Sequence, residues 1–255
     1  MATPKADILL PLYIYPLPGA WDALHEAIAA YPSLRFTIIV NPNSGPGGAS
    51  FSLPDEHYAR EIPKLNARPN VCTVGYVRVD YCKRSLGEVF QEVATYAGWS
   101  RSTDRETGVT LGLHGIFFDE TPNLYSRNVA SYLDSVSARV KASEGILGHR
   151  LVVHNPGTVP DTGLANPGPD ITAVFEESFA AYQSDGLQQR LSNLLRYDRT
   201  KCSFMVHSVP REHVRGLTQS LRWRGKYLFV TDLSENYYCR FGPSWASFCE
   251  AMARE

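Results

Sequence analysis

Short runs of β-branched and aromatic residues alternate along the chain with longer stretches whose apolar positions recur at helical spacing, the pattern of repeated βα units and a parallel sheet. Eight such runs occur, at residues 8–13, 35–40, 71–77, 115–118, 150–154, 171–175, 203–207 and 227–231. Eight is the number that closes a barrel. Between them, helices are predicted at residues 20–31, 85–99, 123–142, 188–195, 211–221 and 244–252. Ser85 and Glu88 have capping-box spacing. The longest helix carries Val129, Tyr132, Leu133, Val136 and Val140 on one face. After the fifth run the helix gives way to a Pro/Gly-rich loop at 156–169, and a second such segment lies at 42–48. Both follow strands and read as βα loops rather than domain boundaries. The expectation is an α/β protein, a single (β/α)8 TIM barrel over residues 1–255.

Length and composition agree with that expectation. A chain of 255 residues suits one barrel, and 44% hydrophobic with 20% charged residues is ordinary for a globular protein that buries its core without staples. The net charge of −1, from 25 basic and 26 acidic residues, gives no electropositive footprint, so neither nucleic acid nor membrane is an expected partner. The apolar run at 8–14 is too short to span a bilayer, contains Pro11 and lacks the basic start and cleavage site of a leader, so it reads as a strand and the chain as written carries no export signal. Five cysteines, with no CxxC among them, predict no structural metal. Cys239 and Cys249 could pair, but buried free thiols are the expectation.

In a barrel, chemistry is sought just after each strand, on the C-terminal face. The residues there are polar: Tyr13 and Tyr15, Asn41 and Asn43, Asp80 and Tyr81, Asp119 and Glu120, Asn155, Glu176 and Glu177, His207 and Ser208, and Asp232. Carboxylates for proton transfer, amides and acids for hydroxyls and tyrosine rings for apolar sugar faces together suit a carbohydrate. The sharpest element is Gly115-Ile116-Phe117-Phe118-Asp119-Glu120, an apolar strand running into two acids whose side chains diverge. Burial and mutual repulsion raise one pKa in such a pair, as a general acid requires; the alternative makes Glu120 an acid at a helix start. A second apolar run ends in Glu176-Glu177, and its pattern does not choose between them. His207 and His154 are substrate contacts or structural hydrogen-bonding residues, and Tyr237-Tyr238 either line a sugar subsite or pack at an edge. The glycine-rich 43–48 segment lacks the lysine and spacing of a phosphate loop.

Leu10-Pro11-Leu12-Tyr13-Ile14-Tyr15-Pro16, Asn41-Pro42-Asn43-Ser44-Gly45-Pro46-Gly47, Gly75-Tyr76-Val77, Gly115-Ile116-Phe117-Phe118-Asp119-Glu120 and Asn155-Pro156-Gly157-Thr158 occur in this order, and together they resemble the spherulin-4-like proteins of fungi and bacteria. The resemblance implies a (β/α)8 barrel and, from the fungal hydrolases of the family, endo-acting cleavage of α-1,4-linked N-acetylgalactosamine in galactosaminogalactan. It implies secretion or cell-wall association. By motif it places the acidic trio on Asp119, Glu120 and Glu176, and it is the reason for choosing Glu176 over Glu177. Tyr13, Tyr15, Asn41, Asn43, Asp80, Tyr81, Asn155, His207 and Asp232 are the candidate substrate-binding residues. One departure is Val79-Asp80-Tyr81-Cys82, where Cys82 stands at a position commonly occupied by glycine. The expected protein is a monomeric, metal- and cofactor-independent glycosidase acting on a polysaccharide, with Glu176 as acid and Asp119 or Glu120 opposing it. The alternatives are the reverse assignment, an internal N-acetyl nucleophile, a deacetylated galactosamine polymer as substrate, and a glycan-binding or spore-wall protein without turnover.

Overall fold

The computed structural model of the chain describes residues 4–48, 52–105, 107–165, 168–192 and 197–254. Its strands are β1 (Asp7–Leu12), β2 (Phe36–Val40), β3 (Val71–Arg78), β4 (Gly115–Asp119), β5 (Leu151–Asn155), β6 (Ile171–Ser178), β7 (Cys202–His207) and β8 (Tyr227–Val230). They pair in sequential order and in parallel into a closed barrel, with Asp7 and Ile8 of β1 meeting Tyr227 and Leu228 of β8. The helices are α1 (Asp22–Ala30), α2 (Glu56–Asn66), α3 (Leu86–Gly98), α4 (Arg127–Ala142), α5 (Phe179–Tyr182), α6 (Asp185–Ser192), α7 (Arg211–Leu221) and α8 (Trp245–Ala253).

Strands covered on both faces read as unbroken apolar runs, and the Phe-Thr-Ile-Ile-Val of β2 is buried at every position. This is why the eight predicted runs fall within about one residue of the observed strands at nearly every boundary. The exception is β6, which continues through Glu176, Glu177 and Ser178, residues that sequence places beyond the strand. A register shift between Ala173 and Phe175 is the irregularity that carries those polar residues along β7.

The helices follow their local signals. Ser85 accepts from the Glu88 amide while the Glu88 carboxylate accepts from the Ser85 amide, completing the expected capping box of α3. The predicted face of α4 is confirmed by buried Leu133, Val136 and Val140, but the helix begins at Arg127, where Ser126 caps it, rather than at 123. Helix α2 has no counterpart among the predicted elements. Its charged residues and the internal Pro63 obscure its periodicity, while Asp55 caps it by accepting from the His57 and Tyr58 amides. Among the described residues between β5 and β6 the helical element is a 3-10 turn at Thr162–Leu164, as the Pro/Gly content predicts. The end of the helix predicted at 188–195 lies outside the described residues.

At the N-terminal end of the barrel polar groups are spent on closure. One Asn70 side-chain amide lies within bonding distance of the Ile28, Tyr31 and Leu34 carbonyls. Arg222, only 2% exposed, donates to the carbonyls of Pro4, Ala251 and Arg254 and so ties both chain ends to the end of α7. The five cysteines are unpaired: Cys202 and Cys249 are buried as expected, whereas Cys239 is exposed. No helix among the described residues is long and apolar enough to cross a membrane.

Candidate active site at the C-terminal mouth

Asp119 ends β4, paired in register with Arg78 of β3 and Asn155 of β5. Its Oδ2 accepts from the Tyr76 hydroxyl at 2.7 Å, and its Oδ1 accepts from Asn155 Nδ2 at 2.7 Å and the Glu120 amide at 2.9 Å. Tyr76 is itself held from outside the barrel. Its neighbour Gly75 leaves room for the Tyr96 ring of α3, which would lie 2.7 Å from a side-chain carbon there, and the Tyr96 hydroxyl donates to the Tyr76 carbonyl at 2.9 Å.

Glu120 takes the left-handed conformation, with φ of 55°. Neighbouring loops fix it: its carbonyl accepts from the Tyr81 amide at 2.8 Å, and the next amide, Thr121, donates to the Asn155 carbonyl at 3.0 Å. Asp80, Tyr81 and Cys82 are also left-handed, so the β3–α3 loop stores strain beside the acid pair. The Glu120 carboxylate has its own partner. It is one-third exposed, 4.0 Å from Arg78 Nη1, and its charge still reaches the Tyr76 hydroxyl.

Glu176 approaches from β6. Its Oε1 accepts from the Tyr238 hydroxyl at 2.6 Å and its Oε2 from Asn155 Nδ2 at 2.5 Å. The Asn155 oxygen accepts from the Gly157 amide at 3.0 Å, which turns the NH2 group towards the acids and gives one hydrogen to each. A single nitrogen therefore bridges the two carboxyls, and Asp119 Oδ1 and Glu176 Oε2 stand no more than about 5 Å apart. Burial, reinforced by the Asp119 charge, pushes the Glu176 pKa above its ordinary 4.5 despite the two donors. Burial and the adjoining carboxylates raise the Tyr76 and Tyr238 phenols, so both remain donors.

Successive strand residues point opposite ways, so Glu177 leaves this cluster. It is exposed, with Oε1 3.7 Å from His207 Nε2. The His207 ring lies flat on Tyr237 at 4.1 Å and 2°, and Tyr237 meets Tyr238 edge-on. Burial lowers the His207 pKa against the pull of Glu177.

The remaining candidates divide. Tyr13 joins the cluster, edge-on to Tyr76 at 5.7 Å and to Tyr238 at 5.3 Å. Tyr15 and Tyr81 are exposed rings on the loops after β1 and β3, the first against His57 and Tyr58, the second under Lys83. Asp80 is loosely paired with Lys83. Asn41 accepts from the Gly45 amide and shapes its own loop, on which Asn43 is exposed. The Asp232 carboxylate is engaged by Arg211 and the Ser244 amide, away from the acid pair. His154 is buried, bonded to Ser137, with its pKa pushed down to about 4 by burial, and is structural.

The sequence profile of the Spherulation-specific family 4 matches residues 7–252. Spherulin-4 of Physarum polycephalum is 36% identical over 171 residues, 67% of this chain but 45% of that protein, so the chain matches less than half of its relative's length. The chain belongs to this family. Among solved structures, Aspergillus clavatus Sph3 in complex with GalNAc superimposes with a TM-score of 0.91 at 38% identity, covering 98% of both chains. A β-glucuronidase from Ruminococcus gnavus, 7% identical with a TM-score of 0.50 and matched over 98% of this chain and 50% of its own, shares the barrel alone.

Within this family member, two residues of the cluster were not assigned from sequence to the acids they contact. Tyr76 lies in a strand where aromatic residues are ordinary core, and its register opposite Phe117, two residues before Asp119 on the same face of the sheet, is what brings it to the acid. Tyr238 comes from the loop after β8, where adjacent tyrosines read as either subsite or packing; its hydroxyl decides by meeting Glu176.

Proposed function

We propose that this family member is a glycoside hydrolase that cleaves within polysaccharide containing α-1,4-linked N-acetylgalactosamine, acting as a monomer. The observation that carries the reading is the Asn155-bridged pair of Asp119 and Glu176 at the barrel mouth. Support comes from the 38% identical Sph3, whose structure contains GalNAc.

In this mechanism Glu176 is the acid. Its raised pKa keeps a proton available, which passes to the glycosidic oxygen as the bond to the anomeric carbon breaks. Asp119, fixed by Tyr76 and Asn155, opposes it and stabilises the oxocarbenium-like centre. The nearest oxygens of the two acids, no more than about 5 Å apart, favour the short spacing of retaining enzymes, in which the second carboxylate bonds to the sugar before water releases it. Glu120 lies towards solvent and orients the incoming sugar. Tyr15 and Tyr81 offer ring faces to neighbouring units, and His207 borders the site beside Glu177 and Tyr237.

The test is release of reducing ends from N-acetylgalactosamine polymer and from its deacetylated form, by the wild type and by Asp119→Asn, Glu120→Gln and Glu176→Gln variants of confirmed fold. Release from the acetylated polymer that is lost in the variants supports the reading. Cleavage confined to the deacetylated polymer moves the substrate, and binding without release replaces the hydrolase by a glycan-binding protein.

A further inference from the structure

Of the three tyrosines around the acid pair, two have hydroxyls that are spent. Tyr76 serves Asp119 Oδ2 and Tyr238 serves Glu176 Oε1, while Asn155 serves the other oxygen of each acid. All four carboxylate oxygens thus have a donor. The third, Tyr13, is held by its ring edges against Tyr76 and Tyr238 and by its backbone amide, which donates to the Tyr238 carbonyl at 3.0 Å. Its hydroxyl makes no hydrogen bond with the described residues. It nevertheless lies within the field of both Asp119 and Glu176, and burial together with those charges keeps it protonated. Tyr13 is only partly buried, and its phenol, beside two carboxyls whose oxygens each already have a donor, has no acceptor among the described residues, which leaves it to donate to a group that enters the site.

We infer that the Tyr13 hydroxyl donates a hydrogen bond to an oxygen of the sugar seated between Asp119 and Glu176, and so acts in catalysis through its hydroxyl rather than through its ring face. The inference rests on the proposed glycosidase reading. The acceptor is an uncharged oxygen, an acetamido carbonyl or a ring hydroxyl. An ammonium group is excluded as the partner because it has no lone pair to accept with.

The variant to make is Tyr13→Phe, which keeps both edge-on ring contacts and removes only the hydroxyl. Its Tm and far-UV spectrum are expected to match the wild type. On N-acetylgalactosamine polymer kcat/KM is expected to fall ten- to a hundredfold, the range for loss of one donor to a substrate oxygen. Parallel assays on galactosamine oligomers separate the two acceptors: a loss confined to the acetylated substrate identifies the carbonyl, and an equal loss on both identifies a hydroxyl. Wild-type rates in the Phe variant overturn the inference. If the wild type binds N-acetylgalactosamine oligomers by calorimetry without cleaving them, the hydrolase reading fails while the inference is still read from affinity: tenfold weaker binding by the variant supports it and unchanged binding overturns it. A wild type that neither binds nor cleaves overturns both.

Discussion

The two ends of the barrel treat polar groups in opposite ways. At the N-terminal end the Arg222 guanidinium and the Asn70 amide meet backbone carbonyls and join elements distant in sequence. At the C-terminal mouth Asp119, Glu120, Glu176 and Glu177 gather, and the cation within 4.0 Å of any of them, among the described residues and leaving histidine aside, is Arg78 at the edge of that distance. The Arg222 and Asn70 groups at the first end are satisfied and stabilising; at the second, carboxyl groups are held together by a few neutral donors. Buried acids brought this close are a cost that stability alone would not select, which is why the second end is read as the chemical one.

The comparison breaks most sharply through the acids. Asp119→Asn and Glu176→Gln are each expected to lower kcat by about 10²- to 10⁴-fold, measured as reducing-end release, with no loss of Tm. Arg222→Leu is expected to do the reverse. It strands the carbonyls of Pro4, Ala251 and Arg254 and costs about 2–4 kcal/mol in urea unfolding, while kcat of the folded protein is unchanged.

A smaller effect concerns pH. The folded-state pKa of Glu176 is raised, so its contribution to stability is fully present below the unfolded value near 4.5 and is lost as pH rises through the folded value. Glu176→Gln removes that loss, and its Tm relative to wild type should be higher at neutral pH than at pH about 4. Activity should fall over the same rise, because the acid loses its proton. The smallest effect is in the strained loop. Cys82 has φ of 64°, and Cys82→Gly is expected to stabilise by about 1 kcal/mol in thermal unfolding.

Most of the barrel was legible because strands buried on both faces must be apolar throughout, a pattern that survives without knowledge of the partners. Helix α2 was hidden by Pro63 and by charges that serve its exposed face. The acids that meet at the mouth were legible where apolar runs stop at acids, as at Asp119 and Glu176. The choice between Glu176 and Glu177 was not, since it depends on which way each strand residue points, and that follows from the irregular pairing of β6 with β7. The roles of Tyr76 and Tyr238 depend on hydroxyls meeting residues 43 and 62 positions away, contacts with no local signal. Asp232, a strand-end acid by position, is bonded to Arg211 and Ser244, partners with no local signal.

The central claim, that Asp119 and the surrounding burial make Glu176 the proton-holding member of the pair, is tested most directly by carbon-13 NMR titration of the Glu176 carboxyl in wild type and in Asp119→Asn. The account predicts a midpoint above the ordinary 4.5 in the wild type that moves down in the variant, as the larger of the two neighbouring charges that raise it is removed. A wild-type midpoint at or below the ordinary value, or one unmoved by Asp119→Asn, would contradict it.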